Sequence, residues 1–398
     1  MADRASFDDV AGHGAGSSRG TGTAAAVWSV VLGWALLRLV AAGSARGTGA
    51  VPAGAPGAPQ PQRAGRNTPE FGQKQHAPPQ AAEEPGRGRE ATTPTEIPAT
   101  GWKDVLWRVY EEFGKDRVMS LAAGVTYYAL LALFPAIAAL VSIYGLFADP
   151  VTIQDHLQAL SGILPGGALD IIREQVTRIA SQGEGTLGVS FAIGLAVSLW
   201  SANAGMKAIF DALNIVYGEE EKRSFIKLNL VSLSFTLGAL LFIIVAIGGI
   251  VVLPIVLNMI GLGSGTEWLL SLARWPVLLI GVVSGLAVLY RYGPSRDTAE
   301  WKWVTPGGIV AAVLWVVVSM LFSWYVANFG SYNETYGSLG AVIGFMTWIW
   351  ISSIVVLMGA EINAEVEHQT AHDTTEGPHA PMGARGAQMA DTIGAAKA

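Results

Sequence analysis

The chain has 398 residues, 51% of them hydrophobic and only 14% charged, with a mean hydropathy of +0.40. A soluble protein carries about 25% charged residues, so the composition argues against a water-soluble globule. The net charge of −6 argues against a nucleic-acid-binding surface, and the lack of cysteine excludes disulfides, thiolate catalysis and Cys-based metal centres.

Residues 1–23 are small, polar and Gly-rich, and are expected to be disordered. Residues 24–42 are long enough to span a membrane, but Arg38 sits inside the run and the start is acidic, unlike a secretory signal. An accessory membrane helix, an interfacial helix and a poorly chosen start codon stay open, with the first preferred. Residues 43–100, rich in Pro, Gly and Ala, read as a disordered linker.

Residues 101–117 form an amphipathic helix with Trp102, Val105, Leu106, Val109 and Phe113 on one face and Lys103, Arg108, Lys115 and Arg117 as its basic residues. Such a segment is expected along the headgroups ahead of the first span. That span covers about 118–147, carries Thr126, Tyr127 and Tyr128, and should kink at Pro135. Residues 149–186 leave the membrane as two short amphipathic helices divided by LPGG at 164–167.

Five further spans follow at about 187–208, 228–257, 268–290, 303–327 and 338–362. Gly281-x-x-x-Gly285 and Gly340-x-x-x-Gly344 are weak signals of close helix approach. Basic residues cluster before span one, between spans two and three, and between spans four and five. The positive-inside rule puts both ends of the six-span core in the cytoplasm. Residues 369–398 are polar and read as a disordered tail. The fold class is therefore an all-α integral membrane protein: a six-helix transmembrane bundle with amphipathic flanking helices and an additional N-terminal membrane helix as an option.

No phosphate loop, HExxH or GxSxG motif is present. His368 and His372 have the spacing of a helical metal pair but lack further ligands. No metal or other cofactor is expected, and neither is an enzyme. Asn203, Lys207, Asp211 and Asn214 follow each other at spacings of four, four and three, which puts them on one face of span two. With Arg291 at the end of span four and Glu361 at the end of span six, they form the candidate polar path or ion-pair cluster. The competing interpretation is that these groups anchor helices and pair structurally.

Several stretches resemble the YihY/BrkB family of bacterial inner-membrane proteins, once labelled ribonuclease BN. They are AAGVTYYALLALFPA at 122–136, SLWSANAGMKAIFDALNIVYGEEEKRSF at 198–225, LYRYGP at 289–294, VTPGG at 304–308, and SYNETYGSLGAVIGFMTWIWISSIVVLMGAEINAE at 331–365. They occur in the family's order over residues 101–368. The resemblance implies six spans and inner-membrane location. It carries no agreed catalytic residues. Tyr128, Pro135, Asn203, Asn214, Tyr217, Arg291, Pro294, Tyr336, Gly337 and Glu361 match its motifs without an assigned role.

Three functions compete. The first is a transporter or a translocator of lipids or envelope components, with membrane lipids as partners and the polar residues as its path. The second is a membrane scaffold organising envelope proteins. The third, a ribonuclease, has only the inherited label behind it. Self-association is compatible with the sequence.

Overall fold

The computed structural model describes residues 79–144, 189–249, 264–329 and 338–397. The expectations for residues 1–78, for the helices of 149–186, and for Tyr336 and Gly337 lie outside the described residues. Everything described belongs to one unit, Asn67–Ala398.

Helix α1 (Ala99–Lys115) precedes the bundle. The six long helices are α2 (Val118–Tyr144), α3 (Val189–Val216), α4 (Phe225–Ile247), α5 (Ser264–Tyr292), α6 (Trp301–Phe329) and α7 (Ser338–Glu367). Each contains an apolar window long enough to cross a membrane. A short helix, α8 (Gln388–Asp391), lies in the C-terminal segment. No strand is formed among the described residues, apart from one isolated antiparallel bridge between Ala299 and Thr375. The chain is an all-α membrane bundle.

The helices pack in the order α4, α3, α2, α7, α6, α5. Helix α2 runs through Pro135 without interruption. Arg117, with a φ of 51°, makes the left-handed turn between α1 and α2. In the two Gly-x-x-x-Gly pairs, Gly281 meets the Phe242 ring of α4, while Gly285 and Gly344 face open space. A close helix crossing lies elsewhere, at Gly307 of α6 and Gly359 of α7, where an added Cβ on either glycine would strike the opposing backbone. Asn363 braces this crossing: its Oδ1 accepts from Gly307 N–H at 2.7 Å and its Nδ2 donates to the Val304 carbonyl at 2.8 Å.

Helix α1 departs from the expected membrane-surface orientation. Val105 and Val109 are buried with Trp303, Ile362 and Val366, so they face protein rather than headgroups. The reason is the polar stripe beside them. Asp104, Arg108 and Glu112 repeat every four residues on the same side, and all three are buried. Arg108 bonds Glu365 of α7 at 2.5 Å and Asp104 takes Arg87 at 2.7 Å. Leu106, Trp107 and Tyr110 are the large apolar α1 side chains left outside.

The segments expected to be disordered on either side of the core are folded where they are described. Residues 79–98 and 368–397 join the α3–α4 and α5–α6 connections in a polar cap at one end of the bundle. Gln388 N–H donates to Glu219 at 2.7 Å, Gly394 N–H to the His368 carbonyl at 2.8 Å, and Lys397 N–H to Asp104 at 2.9 Å. Arg385 gathers the carbonyls of Ala371, His372, Ala380 and Ala390. One multidentate guanidinium thus does the work that hydrophobic periodicity does elsewhere.

Candidate functional site

The polar stripe of α3 splits into two environments. Its first half faces α4. Asn203 is buried; its Oδ1 accepts from the Thr236 hydroxyl at 3.2 Å and its Nδ2 lies 3.5 Å from Asn229 Oδ1. The Lys207 ammonium donates to that same Asn229 oxygen at 3.2 Å and sits 5.5 Å from the Trp200 ring centroid. Asn229 in turn donates to the Phe225 carbonyl at 2.8 Å. The result is a continuous hydrogen-bonded chain, Lys207–Asn229–Asn203–Thr236, in the seam between two membrane helices. These four side chains bond one another across the seam.

The second half of the stripe faces elsewhere. Asp211 is exposed, and neither it nor Lys207 forms an ion pair with a described residue. Asn214 belongs to the cap: its Oδ1 accepts from Ser295 N–H at 2.7 Å and its Nδ2 donates to Glu221 at 3.1 Å. Helical spacing groups the four residues on one face, but the face ends where α3 leaves the bundle.

Arg291 and Glu361 are not part of the seam. Arg291 pairs with Glu376 of the C-terminal segment, its guanidinium 4.4 Å from the Trp301 ring centroid and 5.2 Å from that of Tyr292. Glu361 is fully buried near the end of α7. Tyr217 is buried under the Arg296 guanidinium, 4.3 Å from its ring centroid. Pro294 is buried in the α5–α6 connection, Pro135 lies within α2, and Tyr128 is exposed on α2 with its ring 5.5 Å from that of Tyr127. His368 faces Glu365 at 3.4 Å, while the His372 ring lies 4.9 Å from that of His379.

The cap holds charges that the sequence analysis did not single out. Arg296 and Glu367 form a two-point pair at 2.8 and 2.7 Å. Burial opposes the Arg296 charge, but the Glu367 carboxylate outweighs it and holds the guanidinium firmly protonated. Arg89 reaches the Gly394 and Gln369 carbonyls and Glu84, and its burial lowers its pKa. Partial burial of Glu221 is overcome by hydrogen bonds from Arg223 and Asn214, which bring its pKa down to about 2. Asp373 is likewise held below the usual carboxylate range: hydrogen bonds from Ala380 and Thr375 outweigh its burial. The signal for this network was the three acids Glu361, Glu365 and Glu367 at the end of one apolar helix; the signal for the seam was Asn229 inside another.

The sequence profile of the family described as Virulence factor BrkB matches residues 109–383, which span the whole bundle and most of the cap. This chain belongs to the BrkB family. It is 32% identical over 267 residues to the putative ribonuclease-like protein YfkH of Bacillus subtilis, covering 65% of this chain and 94% of that one. It is 26% identical over 290 residues to the UPF0761 membrane protein PSHAa0171 of Pseudoalteromonas translucida, covering 69% and 89%. A UPF0761 membrane protein of Verminephrobacter eiseniae matches at 25% over 275 residues, which is 62% of that relative's length. No solved structure matches the chain. The BrkB assignment agrees with the six long apolar helices.

Proposed function

We propose that this BrkB-family chain is a transporter that moves a lipid or another envelope component across the bacterial inner membrane, with the α3–α4 seam as its path. The observation that carries this reading is the Lys207–Asn229–Asn203–Thr236 chain. Four linked polar side chains inside an apolar zone are a functional signal, because apolar residues would pack there at lower cost. Each inter-helix hydrogen bond is worth a modest ~0.6–2 kcal/mol. A passing headgroup can therefore displace them one at a time and replace each with a bond of its own.

The polar cap lies on the cytoplasmic side in this proposal. Its basic residues, among them Arg108, Lys222, Arg223, Arg296 and Lys302, agree with the positive-inside rule. Ribonuclease activity is no part of the reading: the word occurs in a relative's name, and among the described residues no three His, Asp or Glu side chains converge as a metal site.

The test is transbilayer movement of fluorescent phospholipids in liposomes carrying the purified chain. The wild type is expected to accelerate movement, and Lys207→Ala and Asn229→Leu to slow it while remaining folded. Absence of movement with several lipids and an imposed proton gradient overturns the lipid form of the proposal.

A further inference from the structure

The geometry of Lys207 and Asp211 points to a headgroup site for an aminophospholipid, with phosphate on Lys207 and a primary ammonium on Asp211. This inference names a lipid class for the seam and rests on the transport reading only for placing that seam against a leaflet.

The direction of Lys207 comes first. Helical side chains tilt towards the helix N-terminus. The Lys207 ammonium follows that tilt to Asn229 and to Trp200, two turns back along α3. Helix α3 enters the polar cap at its other end, beyond Val216. Lys207 thus holds its charge away from the polar cap, the reverse of snorkelling, in which a lysine near a helix end extends towards water. One of its three N–H donors is occupied by Asn229, which leaves two for an incoming oxyanion.

Asp211 stands one turn nearer the cap, about 6 Å along the axis. It is exposed, and no described residue pairs with it. A Lys–Asp pair four residues apart has the spacing of an ion pair, in the weaker of its two orders. Here the pair is parted: Lys207 is partly buried against Asn229, and Asp211 is exposed. The outcome is a cation deeper in the membrane and an anion further out on one helix edge.

A phosphoethanolamine headgroup carries the complementary dipole. Its phosphate sits at the glycerol side and its ammonium extends outward, within reach of one helical turn. Trp200 lies beside Lys207 and Phe225 lies beside Trp200, with ring centroids 6.5 Å apart; 52% and 70% exposed, they supply the aromatic surface that lipid glycerol and upper acyl regions pack against. A purely anionic headgroup satisfies Lys207 and is repelled by Asp211. A choline headgroup carries the charge but no N–H donor for the carboxylate.

The test is lipid retention by the purified full chain in native mass spectrometry, with phosphatidylethanolamine, phosphatidylglycerol and phosphatidylcholine of matched acyl chains. The wild type is expected to retain phosphatidylethanolamine best. Lys207→Met keeps the side-chain stem and should weaken retention of all three, by about tenfold for the ethanolamine lipid if one charged hydrogen-bonded contact is lost. Asp211→Asn should abolish the ethanolamine preference and raise phosphatidylglycerol retention. Equal retention of the three lipids by the wild type overturns the proposal. So does a preference that Asp211→Asn leaves unchanged in a variant with wild-type melting. Selective retention without transbilayer movement would uphold this site and reject the transport reading.

Discussion

Arg296 and Glu367 meet through two parallel hydrogen bonds with both side chains fully enclosed, tying the α5–α6 connection to the end of the last membrane helix. Desolvating both charges is costly, and their attraction offsets that only while both are present. Removing one partner strands the other, so Arg296→Met and Glu367→Gln should each cost about 3–5 kcal/mol. Replacing both with apolar residues of similar size should cost less than the sum. Thermal unfolding of the singles and the Arg296→Met/Glu367→Leu double in detergent checks this. Additive losses would mean that the pair is not coupled.

The second prediction separates real helix crossings from chance glycine spacing. At Gly307 a methyl group would strike the Gly359 carbonyl and the Asn363 side chain. Gly307→Ala must push α6 from α7 and should cost about 1–3 kcal/mol or more. Gly285→Ala and Gly344→Ala meet nothing within 4 Å and should be neutral, or slightly stabilising through helix propensity. Melting temperatures of the three variants rank them directly.

How far the sequence could be read follows from the physical signal at each position. Six spans were legible because long apolar runs leave few alternatives in a chain that must satisfy its own backbone. Asn203 and Lys207 were legible as residues on one face, since spacing alone fixes that. Their partners Asn229 and Thr236 were harder to find, because single polar residues in an apolar run are common and only packing shows which two helices meet. The cap was illegible for a different reason. The C-terminal segment is ordered by Arg385 gathering four carbonyls and by Asp373 capping Thr375 and Ala380, and neither device leaves a period in the sequence. Arg291 takes its carboxylate from Glu376, 85 residues away in sequence and in a segment that composition alone marks as disordered, so no spacing rule pairs them.

A third prediction concerns pH. The Glu221 carboxyl is held near 2 in the folded cap, against an ordinary value of 4.5. A depressed carboxyl contributes stability that is complete above its unfolded pKa and is lost as pH falls towards its folded pKa. The contribution of Glu221 should therefore fade between pH 4.5 and about 2. The group is only partly enclosed, so solvent screening keeps the effect small. Glu221→Gln should flatten the fall in melting temperature over that window and leave the slope above pH 5 unchanged. An unaltered acid profile would show that the Arg223 and Asn214 contacts do not hold the carboxylate in solution.

The last prediction bears on the C-terminal segment itself. If it were a solvated tail, deleting residues 370–398 would leave the bundle unaffected. In the cap, the deletion takes the Gly394 carbonyl from Arg89, the Ala395 carbonyl from Arg108, the Lys397 N–H from Asp104 and Glu376 from Arg291. Arg89, Arg108 and Asp104 are each about 2% exposed, so the deletion uncovers or strands charges that were enclosed. An enclosed charge that loses a hydrogen bond costs about 1–3 kcal/mol or more, and four such losses approach the whole stability of an ordinary domain. The truncated chain should aggregate or melt far below the full one. Arg385→Ala, which removes only the internal clasp, should instead leave the bundle folded but open the segment to protease. Limited proteolysis distinguishes the two cases, because cleavage confined to 371–397 in Arg385→Ala identifies a cap that folds onto the bundle by its own polar contacts.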